Sequence, residues 1–398
     1  MLQERRKTLH ERTAQAIEVL FPARLEDHYE ALAHHYTRSR NTAKAAEYLY
    51  LAGQQAVQRT ANGEAISHFT TAVALFQTLP DTPERTRLEL RVQSILGPTL
   101  MVTQGYGAAE AEQAYRRALE LCGQTGDASQ RFFLLWGFYI FSMFRGEFSH
   151  GNELAAQLLQ LAQSAHDPTL LVEAHLAQGS FLQLTGEPHA AREHLEQALA
   201  CYRPEQHALL AFRTGRDPGV VCLSGLGLVL WALGYPDQAL QRSREALTLA
   251  RKISHSVSLT IALSWAAAVY WSRRESQAAG EVAEAAITLA TEQGFPSGAA
   301  LTTPYQGWAL VEQGQEQEGI ALIRQGLAAL QAAGQELQRP RYLALLVEAY
   351  GTVGQVEEGL SVLAEALAMV DKNGEREWEA ELYRLKGTLT LQSKTSLG

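Results

Sequence analysis

Gln306-Gly307-Trp308-Ala309-Leu310-Val311-Glu312-Gln313-Gly314-Gln315-Glu316-Gln317-Glu318-Gly319-Ile320-Ala321-Leu322-Ile323-Arg324-Gln325-Gly326 holds two helical periods joined at one glycine. Its skeleton, Gln306-Gly307…Leu310…Gly319…Ile323…Gly326, recurs on both sides of it. Leu223…Leu226-Gly227…Leu230…Ala239…Ser243…Ala246 and Leu263…Ala266-Ala267…Tyr270…Ala279…Ala283…Ala286 precede it, and Leu346-Val347…Tyr350…Gly359…Leu363…Ala366 follows. A further copy reads His175…Gln178-Gly179…Leu182…Ala191…Leu195…Ala198. The small residue of the second period falls at 191, 239, 279, 319 and 359, in steps of 48, 40, 40 and 40.

Such a period is the mark of a repeat array, each unit too small to bury its own apolar face. A small residue beside a large one lets the second helix cross the first closely. The turns Gly186-Glu187-Pro188, Gly234-Tyr235-Pro236, Gly314-Gln315 and Gly354-Gln355 end the first helices with a left-handed glycine. The pattern predicts an all-α, right-handed superhelical solenoid of roughly eight to ten helix–turn–helix units of the tetratricopeptide repeat (TPR) type, with the usual 34 residues stretched to about 40.

Weaker copies lie upstream: Gly146-Glu147-Phe148…Gly151…Ala155…Leu158, Ala111…Tyr115…Ala118, and Ala52-Gly53…Ala56…Ala65…Phe69…Ala72, the last preceded by a helix over Tyr29…Leu32-Ala33…Tyr36. Leu79-Pro80-Asp81-Thr82-Pro83 interrupts the helical pattern, dividing a junction with a first repeat-like unit (1–78) from the main solenoid (79–398). The 48-residue step puts an insertion at about 201–220, and insertions in a solenoid map to loops on one face. A last repeat opens within 376–398 without its second helix, which suggests a fragment, a split gene or a degraded reading frame.

Composition agrees with helices: 398 residues, 46% hydrophobic and 19% charged, with only 12 prolines. The net charge of −9 disfavours a nucleic-acid partner, which needs a concentrated basic face. No apolar run is long enough to span a bilayer, and Met1-Leu2-Gln3-Glu4-Arg5-Arg6-Lys7 opens no signal peptide, so a cytoplasmic location is expected. Cys122, Cys201 and Cys222 lack zinc or redox spacing and are read as buried, inert thiols. Phosphate-loop, HExxH and GxSxG motifs are absent. His189 and His194, five apart, miss the i, i+4 spacing of a helical metal site. No catalytic, cofactor-binding or metal-binding residue is assigned.

Positions facing the groove of such a solenoid carry aromatic and apolar side chains. Projecting them gives Phe133, Trp136, Ile140 and Met143, then Leu228 and Trp231, then Ala268 and Trp271, then Leu301 and Trp308. Four of six tryptophans fall on this line. It reads as a clamp for a peptide or small ligand, or as rings buried between the turns of a tightly wound solenoid. With His207, Arg213, Arg216 and Asp217 of the insertion it makes the centre of the array the candidate site. Internal hydrogen bonding of the loop is the competing reading of those polar residues.

Gly234-Tyr235-Pro236-Asp237-Gln238-Ala239-Leu240, Ala290-Thr291-Glu292-Gln293-Gly294-Phe295-Pro296, Gly307-Trp308-Ala309-Leu310 and Ala380-Glu381-Leu382-Tyr383-Arg384-Leu385-Lys386-Gly387 resemble the C-terminal TPR region of bacterial multidomain signalling proteins of the predicted-ATPase and adenylate/guanylate-cyclase kind. Those in turn are similar to the STAND-class activator of the maltose regulon. Ala31-Leu32-Ala33-His34-His35-Tyr36 looks like the junction that follows their ATPase. The resemblance implies sensing or scaffolding: a non-catalytic module that binds a protein, a peptide or a small effector in its groove and regulates an ATPase or cyclase supplied in trans or in cis. A pure assembly scaffold is the alternative. A remnant of an ATP-binding cyclase-type enzyme is a further one, against which the missing phosphate loop stands.

Overall fold

The computed structural model describes residues 2–59, 61–105, 107–125, 127–207 and 214–395. Helices follow one another with no strand among these residues, and no helix is long and apolar enough to cross a membrane. The chain forms two compact units, Met1–Phe141 and Ser142–Gly398.

The first unit contains α1 (Leu2–Leu20), a 3-10 segment (Pro22–His28), α2 (Tyr29–Thr37), α3 (Thr42–Gln58), α4 (Asn62–Phe76), α5 (Pro83–Gln104), α6 (Ala109–Thr125) and most of α7 (Ala128–Phe144). Small residues again set the crossings. A Cβ on Gly53 of α3 would lie 2.4 Å from the Phe69 ring of α4. Glu18 of α1 is held by the Tyr36 and Tyr48 hydroxyls, which donate to it at 2.8 and 2.5 Å, and by the Lys44 ammonium at 3.3 Å.

The second unit is built of α8 (Phe148–Ala165), α9 (Pro168–Leu184), α10 (Pro188–Cys201), α11 (Pro218–Ala232), α12 (Pro236–Ile253), α13 (Ser256–Ser272), α14 (Ser276–Glu292), α15 (Pro296–Glu312), α16 (Glu316–Ala332), α17 (Arg339–Thr352), α18 (Val356–Asn373) and α19 (Glu379–Thr395). Pairs α9–α10 through α17–α18 are the repeats read from the spacing. Their anchors Ala191, Ala239 and Ala279 are completely buried. The crossing of α15 and α16 is the tightest: a Cβ on Gly307 would come within 2.5 Å of the Gly319 carbonyl oxygen, and one on Gly319 within 2.4 Å of that of Gly307. The backbones touch there, which only glycine permits.

The turn glycines Gly186, Gly234, Gly314 and Gly354 have φ of 82, 84, 83 and 74°, the left-handed cap that the pattern requires. One turn departs from it. Between α13 and α14 the same position is Arg274, held left-handed at φ 65°. This conformation costs an L-residue roughly 1 kcal/mol or more. Arg274→Gly is therefore expected to unfold about 1 kcal/mol harder than Arg274→Ala in urea, the reverse of the order inside a helix. Equal stabilities would show that the turn is not strained.

The second unit also pairs elements far apart in sequence. The backbone N–H groups of Glu336 and Leu337, between α16 and α17, both donate to the Phe144 carbonyl, at 2.7 and 3.2 Å. Those of Arg376 and Glu377, between α18 and α19, donate in the same way to the Leu184 carbonyl, at 2.8 and 3.1 Å. Each loop thus caps an orphan carbonyl at a distant helix C-terminus. The chain is an all-α solenoid of TPR-like repeats, and this unit closes over its own interior.

Candidate functional site

The inner face of the second unit is lined by the first helices of successive repeats, α13, α15 and α17, and by the loop leading into α19. Leu228, Trp271 and Trp308 lie in one buried cluster, with Trp231 packed half-buried against it. Trp271 stacks on Trp378 with ring centroids 4.6 Å apart and meets Tyr305 at 6.1 Å, and Tyr305 meets Tyr342 edge-on at 5.9 Å. The Trp271 indole N–H donates to a Glu348 carboxylate oxygen at 3.0 Å, and Arg274 pairs with the same carboxylate and with Glu381. Arg274 therefore ties α13 to α17 and α19, which accounts for a strained arginine where the other turns carry glycine.

Behind these rings sits a charged group that the periodicity does not reveal. Arg341 (2% exposed) and Glu375 (1% exposed) share Gln338. The Gln338 N–H donates to one Glu375 oxygen at 3.2 Å, while its side-chain oxygen accepts from Arg341 and, at 3.3 Å, from the Tyr342 hydroxyl. Glu377 accepts from the Gln183 amide at 2.7 Å. Among the described residues, Glu375 Oε1, Glu377 Oε2, Arg341 Nε and Nη1 and the Tyr305 hydroxyl meet no partner within hydrogen-bond geometry. Burial, reinforced by the charge of Glu377 and opposed by Arg341, pushes the Glu375 carboxyl up to about 8. Burial raises Glu377 as well.

The remaining sequence candidates fall elsewhere. Phe133 and Ile140, half-buried, and Trp136, buried, belong to the first unit. Met143 belongs to the second, packed against Gly151. Arg213 lies outside the described residues. Asp217 caps α11: one carboxylate oxygen accepts from the Val220 N–H and the other from the Tyr202 hydroxyl, both at 2.9 Å. Arg216 pairs with buried Glu173 at 3.5 Å, and His207 accepts from the Arg203 N–H at 2.9 Å. The Asp217 N–H donates to Ser258 near the start of α13, whereas Trp271 sits in its last turn. At 1.5 Å per residue these positions are about 20 Å apart, so the insertion and the tryptophan cluster are not one site.

Arg341, Glu375, Glu377 and Trp378 were missed because three of them lie in or beside irregular loops. The available signal was Glu375-Arg376-Glu377-Trp378 directly after a helix-ending Gly374, where an ordinary repeat has only a short turn.

No family model matches the chain. An uncharacterized protein of Rhizobium meliloti (strain 1021) is 24% identical over 397 residues, 98% of this chain and 38% of that protein, so the chain spans well under half the length of this relative. Among solved structures, the apo form of RapI covers 72% of this chain and 98% of its own at a TM-score of 0.57 and 14% identity. A Rap protein complexed with Competence and Sporulation Factor covers 87% of this chain and 99% of its own at a TM-score of 0.53 and 9% identity. A STAND protein with a tetratricopeptide repeat sensor from Pyrococcus horikoshii aligns over 91% of this chain and 55% of its own, at a TM-score of 0.44 and 12% identity. At these identities the likeness to the two Rap proteins is one of fold, a superhelix of paired helices.

Proposed function

We propose that the chain is a non-catalytic TPR interaction and sensor module, whose second unit takes a peptide, partner protein or small effector on its inner face and so regulates a signalling ATPase or cyclase. The observation that carries this reading is the buried group of charged and aromatic side chains there, whose polar atoms are half-satisfied. A core selected only for stability would hold apolar residues at such positions. The Rap protein complexed with Competence and Sporulation Factor offers a precedent for a solenoid of this order holding a partner. Signalling would require the ligand to bind two curvatures of the unit with different affinity, since equal affinity shifts nothing.

The test is a titration of tryptophan fluorescence and melting temperature with peptides, metabolites and nucleotides. A saturable response is expected, lost in Trp231→Ala without collapse of the fold, because Trp231 is only half-buried. Trp271→Ala is expected to cost about 3–5 kcal/mol of stability as a truncated core ring. A silent panel with a well-folded protein would sink the inner-face reading and favour a scaffold that binds on its outer surface.

A further inference from the structure

The first unit holds a group of histidines that neither the repeats nor the inner face account for. His10 of α1 faces His35 of α2, with Nδ1 atoms 2.9 Å apart and ring centroids 5.1 Å apart. His34 stands beside both, its centroid 6.1 Å from that of His10 and 5.3 Å from that of His35. Two Nδ1 atoms at such a distance share one hydrogen, so one ring donates and the other keeps its lone pair. The contact is open to a neutral pair, or to a pair with one extra proton. It is closed to two imidazolium rings, whose N–H groups would meet head-on. Arg38 donates from Nη1 to His34 Nδ1 at 2.7 Å, and Arg6 acts on His10 from α1 itself. Partial burial, and after it the charges of His34 and Arg38, hold His10 and His35 below the ordinary histidine range.

Little apolar burial keeps α1 in place. Among its described side chains (3–20) Ala14 is the one that is buried, while Leu9, Val19 and Leu20 stand in solvent. Polar clasps run along the helix instead. Near its start Glu4 pairs with Arg40, beyond α2, and with Lys7 at 3.4 Å. Near its end Glu18 accepts from the Tyr36 and Tyr48 hydroxyls and pairs with Lys44. Burial works against the Glu18 charge, but those hydroxyls and Lys44 outweigh it and hold the carboxyl below its usual range. Glu11 and Glu47 act on Tyr36, and Glu47 also pairs with Lys44 at 3.3 Å. In the 3-10 segment Arg24 pairs with Asp27 at 2.7 Å, and His28 packs on Phe21 just past the end of α1. The His10–His35 contact, between the two glutamate clasps, is made of side chains whose ordinary titration lies near neutral pH.

We propose that His10 and His35 form a proton-operated release for α1, which lies docked on α2 at neutral pH and whose N-terminal half, as far as Ala14, comes away from α2 in acid. The switch sits in the first unit and is independent of what the inner face of the second unit binds. Linkage fixes its direction. A histidine lowered in the docked form supports docking above its free value near 6.5, and that support fades as the pH falls below it. The second proton is the decisive one, because it removes the last lone pair between the rings and sets two cations against each other beside Arg6 and Arg38. Once released, a single helix of this length is marginal in water, so α1 loses its backbone hydrogen bonds together with its docking.

The experiment is hydrogen exchange on the full chain at pH 7.5 and pH 5.5, read by mass spectrometry on peptides from α1 and α3 and corrected for the intrinsic pH dependence of exchange. Protection of the α1 amides is expected to fall about fivefold on acidification, while those of α3 keep theirs. The double variant His10→Gln, His35→Gln is expected to hold the ratio of its two protection factors within about twofold, because glutamine takes up no proton. That ratio reads the switch whatever level of protection the variant starts from, so a helix loosened by the substitutions still gives an answer. Equal protection of α1 at the two pH values in the parent protein overturns the proposal. A fall that survives in the double variant overturns it too, since the sensitive group would then lie elsewhere. So does a fall shared equally by α3, which would mean that the unit melts as a whole.

Discussion

Unfolding free energy of the Glu375→Gln variant is expected to exceed that of the parent protein by an amount that grows from near zero at pH 5 to about 4 kcal/mol at pH 9. The sign follows from where the carboxyl titrates. Folded, Glu375 is pushed up to about 8 by burial and by Glu377, whereas unfolded it returns to the ordinary range near 4.5. Between those values the folded state holds a proton that the unfolded state has lost, so stability falls as the pH rises, by roughly 1.4 kcal/mol per unit, and levels off above the folded value. Glutamine keeps the acceptor for the Gln338 N–H and cannot ionise. Urea titrations at pH 5, 7 and 9 measure the difference. A difference that stays constant with pH would show that Glu375 is not held neutral.

The parent protein has an acid limb as well. His175 and His194, with Nδ1 atoms 3.0 Å apart, are both lowered by burial. A histidine with a lowered folded pKa contributes stability that is lost as the pH falls below its unfolded value near 6.5. The stability maximum of the parent protein is therefore expected between the two limbs, close to neutral pH, and in Glu375→Gln, which lacks the limb that falls with rising pH, it is expected to move toward alkaline pH.

Gly319→Ala carries the second large effect. Its new methyl group would lie 2.4 Å from the Gly307 carbonyl oxygen, a backbone atom that cannot swing aside. The two helices must separate, at a cost of about 3 kcal/mol. Gly307→Ala is expected to cost as much, and the double variant less than the sum, because one separation accommodates both methyl groups. Gly387→Ala provides the contrast. That glycine lies on the exposed side of α19 with nothing within 4 Å of an added Cβ, so alanine is expected to stabilise by about 1 kcal/mol through helix propensity. Denaturation midpoints of the four variants check the set. A neutral Gly319→Ala would mean that the crossing is looser than its geometry.

The repeat was legible because each glycine and alanine of the pattern does local work. Gly314 sets a turn and Gly319 a crossing, and both act on helices adjacent in sequence, so a 40-residue period displays them. Tryptophans 271 and 308 were found by the same period, since they face inward from first helices. What covers them was not legible. The loops at 336–337 and 376–377 reach back to Phe144 and Leu184, and nothing in a nearest-neighbour pattern records a contact so far away in sequence. Asp217 shows a signal of another kind. Asp217-Pro218 repeats the cap signature of Asp167-Pro168, whose aspartate also accepts a backbone N–H, at 2.8 Å. Its place at a helix start, with proline following, marks a capping residue as clearly as a loop ligand.

The two long-range loop contacts bear on how the second unit comes apart. An ordinary repeat array melts from its ends, because each repeat depends only on its neighbours and terminal units fray independently. Here the loops before α17 and α19 are fastened to the ends of α7 and α9, so the last repeats cannot loosen without exposing the first. Such a unit is expected to unfold in one step, with a steep transition and with terminal amides that exchange with solvent nearly as slowly as its central ones. The same closure delays folding, because the fastening joins segments almost two hundred residues apart and can form only after the intervening repeats are in place.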